Sequence, residues 1–237
     1  MENYILPDGF CVFEPILNSS ELNKLYDIFG KIFSDYRKLD ILYFNQENRG
    51  LTYLFTGDDV TQYSEKTLEF IRGYNTELYE LLYKIIDYIM EIYCIDTSYE
   101  KNVSYFLGKM QIIFLKYEKN DGIWLHVDNV ARYDQGPIIT MSIGPEKIYF
   151  DLTPSLLFKN KELVPIRVEL NNGDLVVMDG SSRIEWAHGL PYNSPYTKTK
   201  YSILFKFDKF GEQNKFYNDT LDTYISTSKI LCNYKNK

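Results

Sequence analysis

Apolar residues recur at helical spacing in the first hundred residues. A first helix is predicted after Asn18, which precedes Glu21 by three positions as in a capping box. A second helix is predicted from about Ser64 to Tyr93, because its apolar positions lie three to four residues apart. Those positions are Leu68, Ile71, Leu78, Leu81, Leu82, Ile85 and Ile89. Acidic residues occupy the opposite face, so we expect this helix to pack on a sheet and turn its acidic side to solvent.

After residue 102 the pattern changes to short apolar runs between turn residues, which are typical of strands. Together with an earlier run at 10–13, they predict strands at 110–117, 124–127, 138–143, 147–152, 164–170, 175–178 and 201–207. The turn Asn171-Asn172-Gly173-Asp174 is predicted to join two of them as a hairpin. Helices followed by about seven strands predict an α+β fold. We expect a double-stranded β-helix (jelly-roll) core with N-terminal helices packed on one sheet.

The length of 237 residues fits one domain, 1–237. Within it we predict helices and an aromatic segment in 1–101, the jelly roll in 102–209 and a polar extension in 210–237. Three widely spaced cysteines favour a reducing compartment over a disulfide framework. The N-terminus lacks the basic and apolar regions of a secretory signal, and no run of 18 apolar residues indicates a membrane span. We therefore expect an intracellular protein, cytoplasmic or nuclear, without a membrane partner.

The net charge of −7 comes from one segment of the chain. Residues 51–100 carry ten acidic and three basic side chains, and the remainder is close to neutral. No strongly basic face therefore indicates a nucleic-acid partner, although a local groove could still be positive.

Only two histidines occur in the chain, and both stand where a metal site would use them. His126 belongs to His126-Val127-Asp128, and residues i and i+2 of a strand point to the same face. His188 lies 62 residues later, just past a predicted strand and loop. Two histidines and one carboxylate are the ligand set of the facial triad, which holds iron(II) and leaves other positions open. The alternative is a chance His-x-Asp, with both histidines as hydrogen-bonded core or surface groups.

The stretch from Met110 to Phe207 resembles the catalytic core of the AlkB-like family of Fe(II)- and 2-oxoglutarate-dependent dioxygenases. Residues 136–144 resemble the strand in which a small residue and proline lead into Ser-Leu-Gly. Residues 188–191 resemble the family's His-Gly-x-x-Pro, and residues 200–206 resemble its closing strand, Arg-x-Asn-x-Thr-x-Arg. Further segments that fall in the family's order are 115–117, 172–178 and 180–183.

This resemblance implies a site for Fe(II), 2-oxoglutarate and O2, with no catalytic residue beyond the metal ligands. The implied metal ligands are His126, Asp128 and His188. Lys200, with Tyr117 and Ser202, would bind the distal carboxylate of 2-oxoglutarate. Lys206 would lie nearer the end that chelates iron. The implied reaction is hydroxylation or oxidative N-demethylation, with a methylated nucleobase in DNA or RNA as the first substrate to consider.

Alternation along the closing strand agrees with this picture. Lys200 and Lys206 share one face, while an aromatic and aliphatic face is free to pack on helices. Two ammonium groups inside a barrel are unusual unless they are paired, and a dicarboxylate would pair them. The alternative is an edge strand with both lysines in solvent.

Several residues depart from the family pattern. Lys200 and Lys206 replace arginines, and lysine neutralises a carboxylate without forming the two-point fork of arginine. Leu115 stands where the family usually has asparagine, and Val130 where nucleic-acid repair members carry an acid. These changes leave open a protein or small-molecule hydroxylase, or a binding module of the same fold without turnover.

Aromatic residues mark a candidate substrate region. The segment with Tyr43, Phe44, Tyr53 and Phe55 lies where AlkB-like enzymes keep a nucleotide-recognition lid, and such rings stack on flipped bases. The alternative is a strand pair whose aromatic side chains pack in the core. Trp124 and Trp186 flank the predicted ligands and are expected to wall the site from water, with Trp186 also a candidate substrate contact.

Overall fold

The computed structural model describes residues 6–35, 42–46, 51–55, 68, 71–93, 95, 98, 103, 107, 110–119, 121–127, 136–155, 164–191 and 198–207. The helices are α1 (Ser19–Asp35), α2 (Thr76–Ile92) and the short α3 (Gly180–Ile184). The first strands are β1 (Phe10–Phe13), β2 (Leu42–Gln46), β3 (Leu51–Phe55), β4 (Met110–Tyr117), β5 (Ile123–His126) and β6 (Ile138–Ile143). The later strands are β7 (Ile148–Pro154), β8 (Ile166–Leu170), β9 (Leu175–Met178), β10 (Trp186–Leu190) and β11 (Lys200–Phe207).

The strands form two antiparallel sheets. One has the order β1-β9-β6-β11-β4-β3-β2, and the other has the order β5-β10-β7-β8. Apolar side chains from both sheets meet between them, among them Phe10, Ile113, Phe150 and Trp186. The predicted α+β fold with a jelly-roll core is confirmed by this arrangement.

The turn 171–174 does not make the predicted hairpin. Strand β8 pairs with β7 in the small sheet, whereas β9 pairs with β1 and β6 in the large sheet, so the turn carries the chain from one sheet to the other. The turn still has the expected local chemistry, because the Asp174 carboxylate accepts from the backbone N–H of Asn171 at 2.8 Å. The local sequence sets the turn, but long-range pairing decides which sheet each strand joins.

The outer face of the large sheet is covered by the helices. The ring of Tyr201 on β11 lies 5.2–5.6 Å from the rings of Tyr26, Phe29 and Phe33 on α1. Alternate β11 residues Ile203, Phe205 and Phe207 join the same apolar cluster. Because side chains alternate along a strand, this packing turns Lys200 and Lys206 toward the space between the sheets.

Capping residues set where the helices begin. The Asn18 side chain accepts from the N–H groups of Ser20 and Glu21 at 3.0 Å, as predicted from the capping pair. The predicted continuous helix from Ser64 is wrong at Asn75, whose extended backbone and side-chain bond to the Leu78 N–H begin α2 there. Asparagine favours such caps because its side chain competes for backbone donors.

The acidic face of α2 is solvent-exposed, as predicted, while its apolar face is buried in the cluster under the large sheet. Lys24–Glu77 and Lys84–Glu21 ion pairs link α1 and α2 at 2.7 and 2.9 Å. Such exposed pairs contribute little to stability, so burial of the apolar faces holds the two helices in place. Among the described residues, no helix is long and apolar enough to cross a membrane.

Candidate active site

The two histidines are brought together by the pairing of β10 with β5. His188 is the direct cross-strand partner of His126, and their ring centroids lie 4.6 Å apart. His188 is buried, and the Phe150 ring lies parallel to it within 6°, with a centroid distance of 5.9 Å. His188 was predicted just past a strand and loop, without a strand of its own; it lies in the middle of β10, between β5 and β7.

The ring of His126 is oriented by its own strand. Its Nδ1 lies 2.7 Å from the carbonyl oxygen of Trp124. Since a carbonyl oxygen can only accept, Nδ1 carries the proton and donates it, which leaves the lone pair of Nε2 for a metal ion. A bond of this kind, from the second ring nitrogen to a backbone carbonyl, fixes the orientation of metal-binding histidines.

A β-bulge in β5 sets which way His126 faces. Between His188 and Leu190 strand β10 advances by two residues, whereas β5 advances by three between their partners His126 and Ile123. In a regular strand, Ile123 and His126 would point to opposite faces. With the extra residue, both side chains line the same cavity. Bulges commonly redirect side chains beside active sites in this way.

Gly189 lies under the bulge and allows it to form. A Cβ atom at this position would come within 2.5 Å of the Ile123 carbonyl oxygen and 3.1 Å of the Leu125 nitrogen. Both neighbours are backbone atoms, so a side chain could be accommodated only if the bulge moved. The glycine therefore contributes to the position of His126.

A cavity of about 330 Å³ lies between the two sheets beside the histidines. Its volume is in the range of small-molecule sites, and most of its wall is apolar. The polar residues of its wall, besides the histidines, are Tyr117, Thr140, Ser142, Ser202 and Lys206. Five predicted site residues therefore meet at one cavity, namely His126, His188, Tyr117, Ser202 and Lys206.

Lys200 is buried at the end of the same strand face and is not among the residues that line the cavity. Its side chain pairs across the strands with Tyr117, and its Nζ lies 4.9 Å from the centroid of the Tyr117 ring. Burial lowers the pKa of Lys200 to about 7, although Asp121 opposes this shift. Strand β11 lies between β6 and β4, so the alternative of an exposed edge strand is wrong.

Other predicted residues lie elsewhere or outside the described part of the chain. Trp186 is buried in the apolar cluster between the sheets and does not line the cavity. Trp124, at 65% exposure, does not shield the site as expected, because the bulge turns it outward. Asp128 lies outside the described residues, and so do the side chains of Tyr43, Phe44, Tyr53 and Phe55. The backbones of these four aromatic residues pair in β2 and β3, next to β4.

Several residues of the cavity were not predicted from the sequence, among them Thr140, Ser142 and Phe150. Thr140 and Ser142 lie on β6 and face inward, and Phe150 stacks on His188. The run Ile138-Ile139-Thr140-Met141-Ser142-Ile143 did contain a usable pattern, since two polar residues at alternate positions of a buried strand indicate a polar inner face. No comparable pattern distinguished Phe150 from the other aromatic residues.

Comparison with known proteins identifies this arrangement. Residues 109–215 match the model of the 2OG-Fe(II) oxygenase superfamily. Residues 109–215 therefore form a 2OG-Fe(II) oxygenase domain. Its AlkB-like character, predicted from the motifs, is confirmed by the mouse protein named tRNA (carboxymethyluridine(34)-5-O)-methyltransferase ALKBH8, which is 35% identical over 80 residues. That match covers 34% of this chain and 11% of the mouse protein.

Two solved structures align with most of the chain. A Pseudomonas putida prolyl-4-hydroxylase aligns with a TM-score of 0.50 and 14% identity, covering 86% of this chain and 94% of that one. The structure of OsALKBH1 aligns with a TM-score of 0.48 and 13% identity, covering 85% and 99%. At this level of identity the prolyl-4-hydroxylase match establishes a common fold.

The superfamily uses Fe(II) and 2-oxoglutarate, and the residues of this oxygenase domain fit both groups. Two adjacent imidazoles, one with its Nε2 lone pair available, suit a divalent transition metal. Lys200 and Lys206 on the inward face of β11 suit a dicarboxylate. Within the described residues no group of three or more histidine, cysteine and carboxylate side chains is close enough to hold a metal, and the third predicted ligand lies outside them.

Proposed function

We propose that this chain is an Fe(II)- and 2-oxoglutarate-dependent dioxygenase that hydroxylates its substrate or removes a methyl group from a substrate nitrogen. The observation that carries the proposal is the direct pairing of His126 with His188 at a cavity that Lys206 and Ser202 also line. In this proposal the whole chain, 1–237, forms one intracellular enzyme domain.

Each residue has a separate task in the proposed site. His126 and His188, with Asp128, hold iron, which when bound activates O2 with electrons from 2-oxoglutarate. Lys200, Tyr117 and Ser202 bind the distal carboxylate, and Lys206 neutralises the end nearer the metal. The apolar wall keeps water from the reacting groups, which strengthens the electrostatic contacts inside.

A methylated nucleobase is the proposed substrate class. Two observations favour it: the sequence match to a protein whose name assigns it to tRNA, and the aromatic residues of β2 and β3 beside β4. Aromatic side chains at the edge of such a site would stack on an extruded base. Tyr43, Phe44, Tyr53 and Phe55 are the residues proposed for this contact. Trp186, a further candidate from the sequence, is buried between the sheets and is left out of the proposal.

A protein or small-molecule hydroxylase is the second candidate. The net charge of −7 favours it, because it does not support binding to a polyanion. Val130 also favours it, because the nucleic-acid repair members of the resembling family carry an acid at that position. A binding module without turnover is a third possibility, motivated by the lysines that replace the family arginines.

Turnover of 2-oxoglutarate tests the proposal. The purified chain with Fe(II), ascorbate and O2 should convert 2-oxoglutarate to succinate, and His188→Ala should not. Formaldehyde release from methylated oligonucleotides, compared with methylated peptides, then separates the first two substrate classes. Absence of succinate in every condition, with a folded protein, would leave only the binding module.

A further inference from the structure

A row of three side chains crosses the floor of the cavity on neighbouring strands. Ser202 on β11 is the direct partner of Leu115 on β4 and of Ser142 on β6. All three line the cavity, and Ser142 is only 3% exposed. Ser142 and Ser202 therefore lie side by side on the cavity wall, where their hydroxyl groups can bond a ligand.

The backbone of Ser142 is held firmly on both sides. Its carbonyl oxygen accepts from the Gly173 N–H at 2.7 Å, and its N–H donates to the Asp174 carbonyl oxygen at 3.3 Å. Two residues later, the Gly144 N–H donates to the Asn172 side chain at 3.0 Å. The turn between the two sheets thus fixes this end of β6 and with it the backbone position of Ser142. Preorganisation of this kind lowers the cost of binding.

A carboxylate in this cavity needs more donors than one lysine supplies. Each carboxylate offers about four acceptor sites, and an ammonium group acts as a compact point charge. In the neighbouring row Lys200 on β11 pairs with Tyr117 on β4, so that row supplies one charge and one phenolic hydroxyl group. In the Ser202 row the β4 position is Leu115, which has no donor, whereas the β6 position is a serine. The neutral donors of that row are therefore on β11 and β6.

We propose that Ser142 binds the distal carboxylate of 2-oxoglutarate, with its hydroxyl donating to the oxygen that Lys200 does not neutralise. This assignment rests on the proposed function and adds a binding residue from β6 to the site. Ser142 and Ser202 then flank one carboxylate oxygen, and Leu115 packs against the methylene groups. A ligand without the distal carboxylate gains nothing from Ser142.

Titration calorimetry on the full chain loaded with Mn(II) tests the assignment. The probes are 2-oxoglutarate and 2-oxobutyrate, which share the chelating end and differ in the distal carboxylate. Ser142→Ala should weaken 2-oxoglutarate by about 10-fold or more, because bonds to charged groups are among the strong ones, and leave 2-oxobutyrate unchanged. Ser142→Thr, which restores a hydroxyl, should recover most of the affinity. Ser155→Ala removes a buried serine outside the cavity and serves as the matched control.

The outcomes separate this assignment from the proposed function. Equal 2-oxoglutarate affinity in the wild type and Ser142→Ala would overturn the role of Ser142 alone. Equal weakening of both probes would also overturn it, since that result indicates a general change in cavity shape. If the wild type with Mn(II) binds neither probe, the proposed function itself fails. Denaturation midpoints of all variants show whether each is folded.

Discussion

His188 and His126 face each other as direct partners across two antiparallel strands, with ring centroids 4.6 Å apart. This pairing joins residues 62 positions apart in sequence, and it makes metal binding a joint property of β5 and β10. We expect His126→Ala and His188→Ala each to lower Mn(II) affinity by on the order of 100-fold or more. This loss exceeds the usual effect of removing a residue that only hydrogen-bonds to a metal ligand. Calorimetric titration of Mn(II) into folded protein measures this. Retained stoichiometric binding in either variant would show that the two histidines are not the ligands.

The affinity for 2-oxoglutarate should fall as pH rises above 7. Burial gives Lys200 a pKa of about 7, and Asp121 is the charged group that opposes the shift. Only the protonated ammonium attracts a dianion, so affinity should drop by up to about tenfold per pH unit between pH 7 and 9. Lys200→Arg keeps its charge throughout this range and should abolish the slope. Calorimetry across that range makes the comparison, and a slope shared by both proteins would contradict the role of Lys200.

The same lysine should lower the stability of the ligand-free protein near neutral pH. Its folded pKa of about 7 is below the ordinary value of 10.5, so the unfolded chain binds more protons between these pH values. Stability therefore rises with pH across this window, by at most about 1.4 kcal/mol per unit. Lys200→Met should be more stable than the wild type at pH 7, with the difference shrinking toward pH 10. Urea unfolding at several pH values tests this, and a difference independent of pH would refute it.

Gly189 should be required for the position of His126. In Gly189→Ala the new methyl group meets backbone atoms of the bulge at 2.5–3.2 Å, so β5 must shift. We expect a loss of roughly 1–3 kcal/mol in unfolding free energy, together with weaker Mn(II) binding. Gly30→Ala is the control, because its Cβ meets only the Tyr201 hydroxyl, at 3.6 Å, inside a helix. That variant should be as stable as the wild type or slightly more stable. Unchanged Mn(II) affinity in Gly189→Ala would show that the bulge does not set the position of His126.

Most strands and the inward face of β11 could be predicted because alternation and periodicity are local properties. Lys200 and Lys206 lie on the predicted inner face, opposite the aromatic face that packs on α1. Strand β10 was not predicted, because Trp186, His188 and Gly189 interrupt its apolar pattern. It forms a strand because it pairs with β5 and β7, which are distant in sequence.

The residues of the candidate site were predicted only in part, because some of their positions depend on the pairing of strands that are distant in sequence. The scarcity of histidine and the His-x-Asp spacing indicated His126 and His188, and the resemblance to a family supplied the residues of β4 and β11 that meet at the cavity. The bulge and the inward position of Ser142 depend on the register between strands, which no single stretch of sequence encodes. The predicted hairpin at 171–174 was wrong because one turn sequence serves both a hairpin and a crossing between sheets.

Anaerobic visible absorption of the chain with Fe(II) and 2-oxoglutarate tests the central claim most directly. A 2-oxo acid chelated to Fe(II) in the active site gives a charge-transfer band that neither component shows alone. The wild type should develop this band with one equivalent of Fe(II), and His126→Ala, tested as a folded protein, should not. Absence of the band in the folded wild type, at 2-oxoglutarate concentrations that saturate known oxygenases of this superfamily, would contradict the assignment of this cavity as an Fe(II)- and 2-oxoglutarate-binding site.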